Sequence, residues 1–111
     1  MDNKTKAIDT PFEKHDAYGS LSMPIYHTAA YEFNTAVDMA DAFTGRVIAP
    51  DYSRVMNPTV MYLEDKVKAL TNASNVVAFS SGMAAISNTM LALSATGKNI
   101  VTSRHMFGNT F

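Results

Sequence analysis

Apolar and polar positions along the chain change pattern near Asn34. Beyond that point Thr35 can cap a helix N-terminus, Val37, Ala40 and Phe43 share one side, and Gly45 stands where helices commonly stop, which predicts a helix of about ten residues. A second helix is predicted from Asn57-Pro58-Thr59, with Asn57 as N-cap and Pro58 at the first helical position, where its missing N–H costs nothing. Val60, Leu63, Val67 and Leu70 then form one apolar stripe, and Glu64, Asp65, Lys66 and Lys68 occupy the remaining surface, which should be solvated. Further on, Val76 to Phe79 is a short β-prone run that ends at Ser80-Ser81-Gly82. Met83, Ile86, Met90 and Leu93 follow at helical spacing, Gly97 closes that helix, and Ile100 to Thr102 makes a second β-prone run. The order is β-α-β, the unit that joins parallel strands by a right-handed crossover and places both following loops at one sheet edge, where ligands favour binding.

The residues before Asn34 behave differently. Pro11, Gly19 and Pro24 punctuate a series of aromatic residues, Phe12, Tyr18, Tyr26, Tyr31 and Phe33, with neither helical nor strand periodicity, so the segment reads as an extended arm. An aromatic arm lies either on the body of its own chain or on a neighbouring subunit, which points to a homo-oligomer.

Composition narrows the class. At 111 residues with 47% hydrophobic and 17% charged, the chain is globular and long enough for one small domain with one core. A net charge of -1 removes the basic footprint of a nucleic-acid binder. Lack of cysteine excludes a disulfide framework and a thiolate nucleophile, and suits a reducing compartment. Met1 to Ile25 holds no signal-like apolar run, and no stretch approaches the roughly 20 residues of a membrane span, so a cytoplasmic protein is expected. The last residues, His105 to Phe111, are apolar and turn-rich with no stop signal, and two parallel strands do not make a stable sheet, so the pattern reads as the opening of a larger α/β domain whose remainder lies C-terminal.

Three short motifs could carry chemistry. Ser80-Ser81-Gly82-Met83-Ala84-Ala85 joins a strand to a helix N-terminus, where free N–H groups and the helix dipole suit a phosphate; a plain capping turn accounts for it equally well. The order does not fit a nucleophilic serine elbow. Tyr52-Ser53-Arg54 sets a phenol and a guanidinium two residues apart, on one side of an extended segment, where both could donate to one anion; alternatively Arg54 pairs with Asp51 or Glu64 at the surface. Phe107, in the loop Ser103 to Gly108, could stack on a planar cofactor or be part of the core. His15, His27 and His105 are too far apart for metal-ligand spacing, no metal is expected, and the methionines read as packing.

Taken together and in order, Tyr52-Ser53-Arg54 with Asn57-Pro58-Thr59, Ser80-Ser81-Gly82-Met83-Ala84-Ala85, and Phe107-Gly108-Asn109-Thr110 resemble the N-terminal part of the Cys/Met-metabolism (trans-sulfuration) family of pyridoxal-phosphate enzymes. The resemblance spans roughly residues 18 to 111 and is nearest to the O-acetylhomoserine sulfhydrylase and methionine gamma-lyase branch. It implies residues 1–50 as arm and short helix, and 51–111 as the start of the cofactor-binding large domain of fold type I, the aspartate aminotransferase-like α/β fold. It further implies pyridoxal 5′-phosphate as cofactor and an amino acid, O-acylated homoserine or a sulfur amino acid, as substrate. Gly82 and Met83 would then give backbone N–H groups to the cofactor phosphate, while Tyr52 and Arg54 reach the phosphate bound by a neighbouring subunit. Phe107 stands where many members have a tyrosine, and keeps the stacking without the hydroxyl.

The lysine that bonds the cofactor in the family, and the aspartate that faces its ring nitrogen, have no counterpart among these residues. Lys66 and Lys68 belong to a helix surface and Lys98 follows a helix-ending glycine, so the 111-residue chain alone is not expected to catalyse. Two other readings compete, a self-contained phosphate- or nucleotide-binding α/β module and a non-catalytic truncated homologue. Borohydride treatment of the chain with pyridoxal 5′-phosphate, followed by peptide mapping, is expected to leave Lys66, Lys68 and Lys98 without specific label.

Overall fold

A computed structural model describes residues 2–12, 16–94 and 97–110, which leaves His15 and Phe111 outside. The helices are α1 (Asn3–Ile8), α2 (Ala36–Phe43), α3 (Pro58–Thr71) and α4 (Gly82–Leu93), followed by a 3-10 turn at Gly108–Thr110. The chain divides into two units at Val77 and Ala78.

In the first unit the helix boundaries follow from side-chain chemistry. Thr35 Oγ1 accepts from Asp38 N–H at 3.1 Å and donates to the Asp38 carboxylate at 2.8 Å, so cap and first-turn acid satisfy each other. Gly45, at φ +70°, takes the left-handed conformation that ends α2, its N–H donating to Ala42 O at 3.0 Å. α3 ends the same way at Asn72, φ 54°, a residue type that tolerates this region.

The arm is not wholly extended. Asn3–Ile8 is helical, a length marginal in isolation, and it persists because it packs against α3. Lys6 Nζ donates to Asn72 Oδ1 at 3.2 Å, Tyr62 donates its hydroxyl to Thr10 O at 3.0 Å, and the rings of Phe12 and Tyr62 meet edge to face with centroids 5.4 Å apart. The charged side of α3 is therefore used rather than simply solvated, and Lys66 Nζ lies 4.7 Å from the Tyr62 ring centroid.

The rest of the arm, from Pro24 to Tyr31, is clamped to the start of α3. Thr59 Oγ1 accepts from Tyr26 N–H at 2.8 Å and donates to Pro24 O at 3.0 Å. Asn57 Nδ2 donates to Tyr26 O at 3.0 Å, and Ser53 Oγ donates to Thr28 O. An antiparallel bridge between Ala30 and Tyr52 completes the attachment, with Tyr31 N–H to Asp51 O at 3.2 Å and Ser53 N–H to Ala29 O at 2.9 Å.

Two expectations are corrected. The β-prone runs 76–79 and 100–102 form no strand ladder among the described residues, because β propensity produces a strand only where another strand completes its hydrogen bonds. The expected hydrophobic core is also missing, since Thr10 is the one buried residue described. Val60 and Leu63 of the α3 stripe stay 42% and 54% exposed while Val67 and Leu70 are half-buried, so the amphipathic pattern marks a face that the described residues cover only in part. Links between elements are consequently polar more than apolar. Thr59→Val, which removes both hydrogen bonds to the arm, is expected to speed amide exchange at Tyr26 and to destabilise the unit by about 1–3 kcal/mol. Thr35→Ala, which uncaps α2, should leave Tyr26 exchange unchanged.

Candidate functional site

In the second unit α4 starts at Gly82, and the protein satisfies its first turn only in part. Ser81, at the N-cap with extended backbone, accepts from Ala84 N–H on its Oγ at 3.1 Å and from Ala85 N–H on its carbonyl at 3.1 Å. The N–H groups of Gly82 and Met83 have no acceptor among the described residues. Capping and anion binding are thus compatible, because the serine uses some of the terminal donors and leaves the two nearest the turn. Gly82 has no positive φ, and a Cβ built there meets nothing within 4 Å. Neither backbone conformation nor packing among the described residues calls for glycine at this position.

The loop after residue 102 is tied to the same helix end. Thr110 Oγ1 donates to Met83 Sδ at 3.7 Å, and Thr110 N–H donates to Phe107 O at 2.8 Å to close the 3-10 turn. Phe107 itself is 79% exposed, so the described residues do not bury its ring. The reason is local. The loop bonds to itself, through His105 N–H to Ser103 Oγ at 3.0 Å and Thr102 Oγ1 to Met106 Sδ at 3.2 Å, and Met106 rather than Phe107 is half-buried.

In the first unit Tyr52 pairs with Ala30 and Arg54 lies in the turn that follows, so the segment is not extended throughout as expected. Val55 N–H and Met56 N–H both donate to Tyr52 O, at 2.8 and 2.9 Å, and this curls the chain. The side chains still share a side, with the Arg54 guanidinium carbon 5.0 Å from the Tyr52 ring centroid. Such a contact contributes about 0.5–1 kcal/mol at an exposed site, little enough for an anion to compete for the guanidinium. Both residues are exposed at the edge of a cleft of about 430 Å³ whose apolar wall includes Phe33, Met39 and Phe43. Gly82, Met83 and the Phe107 turn are therefore brought together within one unit, and Tyr52 with Arg54 within the other. His27 and His105 are exposed, as are Lys68 and Lys98.

Sequence reasoning assigned Asn57 to capping alone and gave Ser53 no role. Asn57 Oδ1 does cap α3, accepting from Thr59 N–H at 2.9 Å and Val60 N–H at 3.3 Å. Its Nδ2 also donates to Ser53 Oγ at 3.0 Å and, at the longer 3.3 Å, to the Tyr31 hydroxyl, which itself lies 3.1 Å from Ser53 Oγ. The one available signal was the carboxamide, which carries two donors that a capping serine or aspartate lacks.

In the second unit a helix N-terminus with unspent donors beside a turn that displays an aromatic ring can accept a phosphate and a planar group, and in the first unit an arginine–tyrosine pair can donate to an anion. The family model for Cys/Met metabolism PLP-dependent enzymes matches residues 4–111, and the chain belongs to this family. Among curated relatives it is 40% identical over 89 residues to O-acetyl-L-homoserine sulfhydrylase of Corynebacterium glutamicum, covering 80% of this chain and 20% of that protein. It is 37% identical over 107 residues to L-methionine gamma-lyase of Pseudomonas deceptionensis, with 96% of this chain and 27% of that one covered. With O-succinylhomoserine sulfhydrylase of Pseudomonas aeruginosa the identity is 41% over 92 residues, 83% of this chain and 23% of the relative. The chain thus spans about a fifth to a quarter of the length of these relatives.

A crystal structure described as an O-acetylhomoserine (thiol)-lyase of Campylobacter jejuni, which carries N'-pyridoxyl-lysine-5'-monophosphate, superposes with a TM-score of 0.89 at 28% identity. The match covers 99% of this chain and 27% of that one. The fold is accordingly the partial, N-terminal portion of a fold type I pyridoxal-phosphate enzyme, as the β-α-β pattern and the motifs imply, and pyridoxal phosphate is the family cofactor. In the complete polypeptide carrying this segment, Gly82→Ala is expected to leave the melting temperature of the cofactor-free protein unchanged or slightly raised. Its affinity for pyridoxal 5′-phosphate, read by fluorescence titration, should fall about tenfold or more, the loss of one or two charge-assisted hydrogen bonds.

Proposed function

We propose that the chain forms the N-terminal part of a homo-oligomeric, cytoplasmic pyridoxal-phosphate enzyme that performs γ-replacement or γ-elimination on O-acylated homoserine or a sulfur amino acid. The observation that carries this reading is the pair of unspent N–H groups at Gly82 and Met83, behind a serine that caps α4 without using them. These groups would hold the cofactor phosphate, with the α4 dipole favouring its charge. Tyr52 and Arg54 would donate to the phosphate bound by a second subunit, so that each site draws on two chains. Residues 1–50 serve in this scheme as arm and short helix, and 51–111 as the start of the cofactor-binding domain.

When bound, the cofactor supplies an electron sink for charge developing on the substrate carbons. This chain's contribution is to bind and orient. Phe107 offers a ring face for stacking, and without a hydroxyl it neither holds nor transfers a proton, so proton movement falls to other groups. The absence of a buried apolar side chain among the described residues speaks against a self-contained phosphate-binding module.

Two measurements test the proposal. The coding sequence downstream of codon 111 should encode a lysine that takes up the cofactor. The complete polypeptide should bind pyridoxal 5′-phosphate and release or replace the γ-substituent of O-acetylhomoserine or methionine. A reading frame without such a lysine, or a polypeptide that does not bind the cofactor, would overturn it. Arg54→Ala is expected to weaken cofactor binding by one to two orders of magnitude, the scale of a lost arginine–phosphate contact.

A further inference from the structure

We infer that Asn57 is a positioning residue for the cofactor phosphate, acting through Ser53 on the turn that presents Tyr52 and Arg54; this rests on the phosphate-binding role proposed for those two side chains. The carboxamide is divided between two tasks. Oδ1 caps α3 through Thr59 N–H and Val60 N–H. Nδ2 holds Ser53 Oγ at 3.0 Å and Tyr26 O at 3.0 Å, with Tyr31 Oη at 3.3 Å sharing its two hydrogens.

Ser53 is the residue between the two candidate phosphate ligands, and it is fixed from several directions. Besides Asn57, its hydroxyl meets Thr28 O and the Tyr31 hydroxyl, and its N–H donates to Ala29 O at 2.9 Å. Tyr52 and Arg54 have no comparable side-chain anchors among the described contacts beyond their own ring–guanidinium approach. The arrangement is a rigid base carrying two exposed donors. A turn already fixed in the binding conformation loses less entropy when the phosphate arrives, so release of Nδ2 should cost cofactor affinity even with the helix intact.

The test separates the two halves of the carboxamide in the complete polypeptide that carries this segment. Asn57→Ser keeps a good N-cap oxygen and removes the donor; Ser53→Ala removes the other end of the link and leaves the cap untouched. Asn57→Ser is expected to keep the helicity of α3 by circular dichroism and to lower the melting temperature of the cofactor-free protein about as much as Thr59→Val, since each variant gives up two hydrogen bonds outside the helix. It should raise the Kd for pyridoxal 5′-phosphate about tenfold and shift the phosphorus NMR resonance of the bound phosphate toward that of free cofactor. Ser53→Ala should move the same two readouts, and the double variant should lose less than the sum, because both act on one link. Weakened binding by Arg54→Ala together with wild-type Kd and phosphorus resonance in both Asn57→Ser and Ser53→Ala would overturn the positioning role alone. Wild-type Kd in all three would overturn the phosphate reading with it.

Discussion

The carboxamide of Asn57 is the point at which helix, arm and candidate site meet. Its oxygen terminates the backbone of α3 and its nitrogen reaches across to Tyr26 O and Ser53 Oγ. Capping alone contributes about 0.5–2 kcal/mol. The donor half does something different in kind, because it couples the start of α3 to a segment 31 residues earlier in the chain. Thr59, two positions on, repeats the device with one hydroxyl that both accepts and donates. The arm is held by residues at the helix start, so one short stretch of chain sets both the helix boundary and the attachment, through different atoms.

What the sequence made legible was local. Thr35, Gly45, Asn57 with Pro58, and Ser81 each act on the backbone within a few residues, and each sits at the helix end that its chemistry indicates. The helix N-terminus at Ser80-Ser81-Gly82 was legible for the same reason, whereas the choice of the Gly82 and Met83 amides as phosphate donors came from the family resemblance. The contacts that were not legible lie far apart in sequence. Asn57 to Tyr26, Tyr62 to Thr10 and Lys6 to Asn72 depend on how the arm returns over α3, which no periodicity encodes. α1 escaped notice because six residues with no strong apolar stripe become helical through that return. Arg54 joins Tyr52 across a turn rather than along a strand, so the right pair came from the wrong local geometry.

The β-prone runs and the apolar stripe of α3 belong together. Both are patterns written for neighbours, a second strand in one case and a covering layer in the other. Within this stretch, Val60 and Leu63 remain open, as do Val101 and Leu93 at 96% and 80% exposure. Membership in a family whose compared members are roughly four times as long gives those patterns their context. Hydrophobic periodicity reports what a segment would bury, whereas the polar clamp reports what it has already bonded.

Seen along the arm, the clamp touches Pro24, Tyr26 and Thr28, every second residue, and always at the main chain. In extended backbone alternate residues turn their N–H and C=O groups to the same edge. Thr59, Asn57 and Ser53 therefore act as a strand edge assembled from side chains, docking a segment that has no true strand beside it at these positions. Such an edge reads conformation and not identity. The intervening side chains, Ile25 at 82% exposure and the exposed His27, are left free to serve whatever surface the arm next meets.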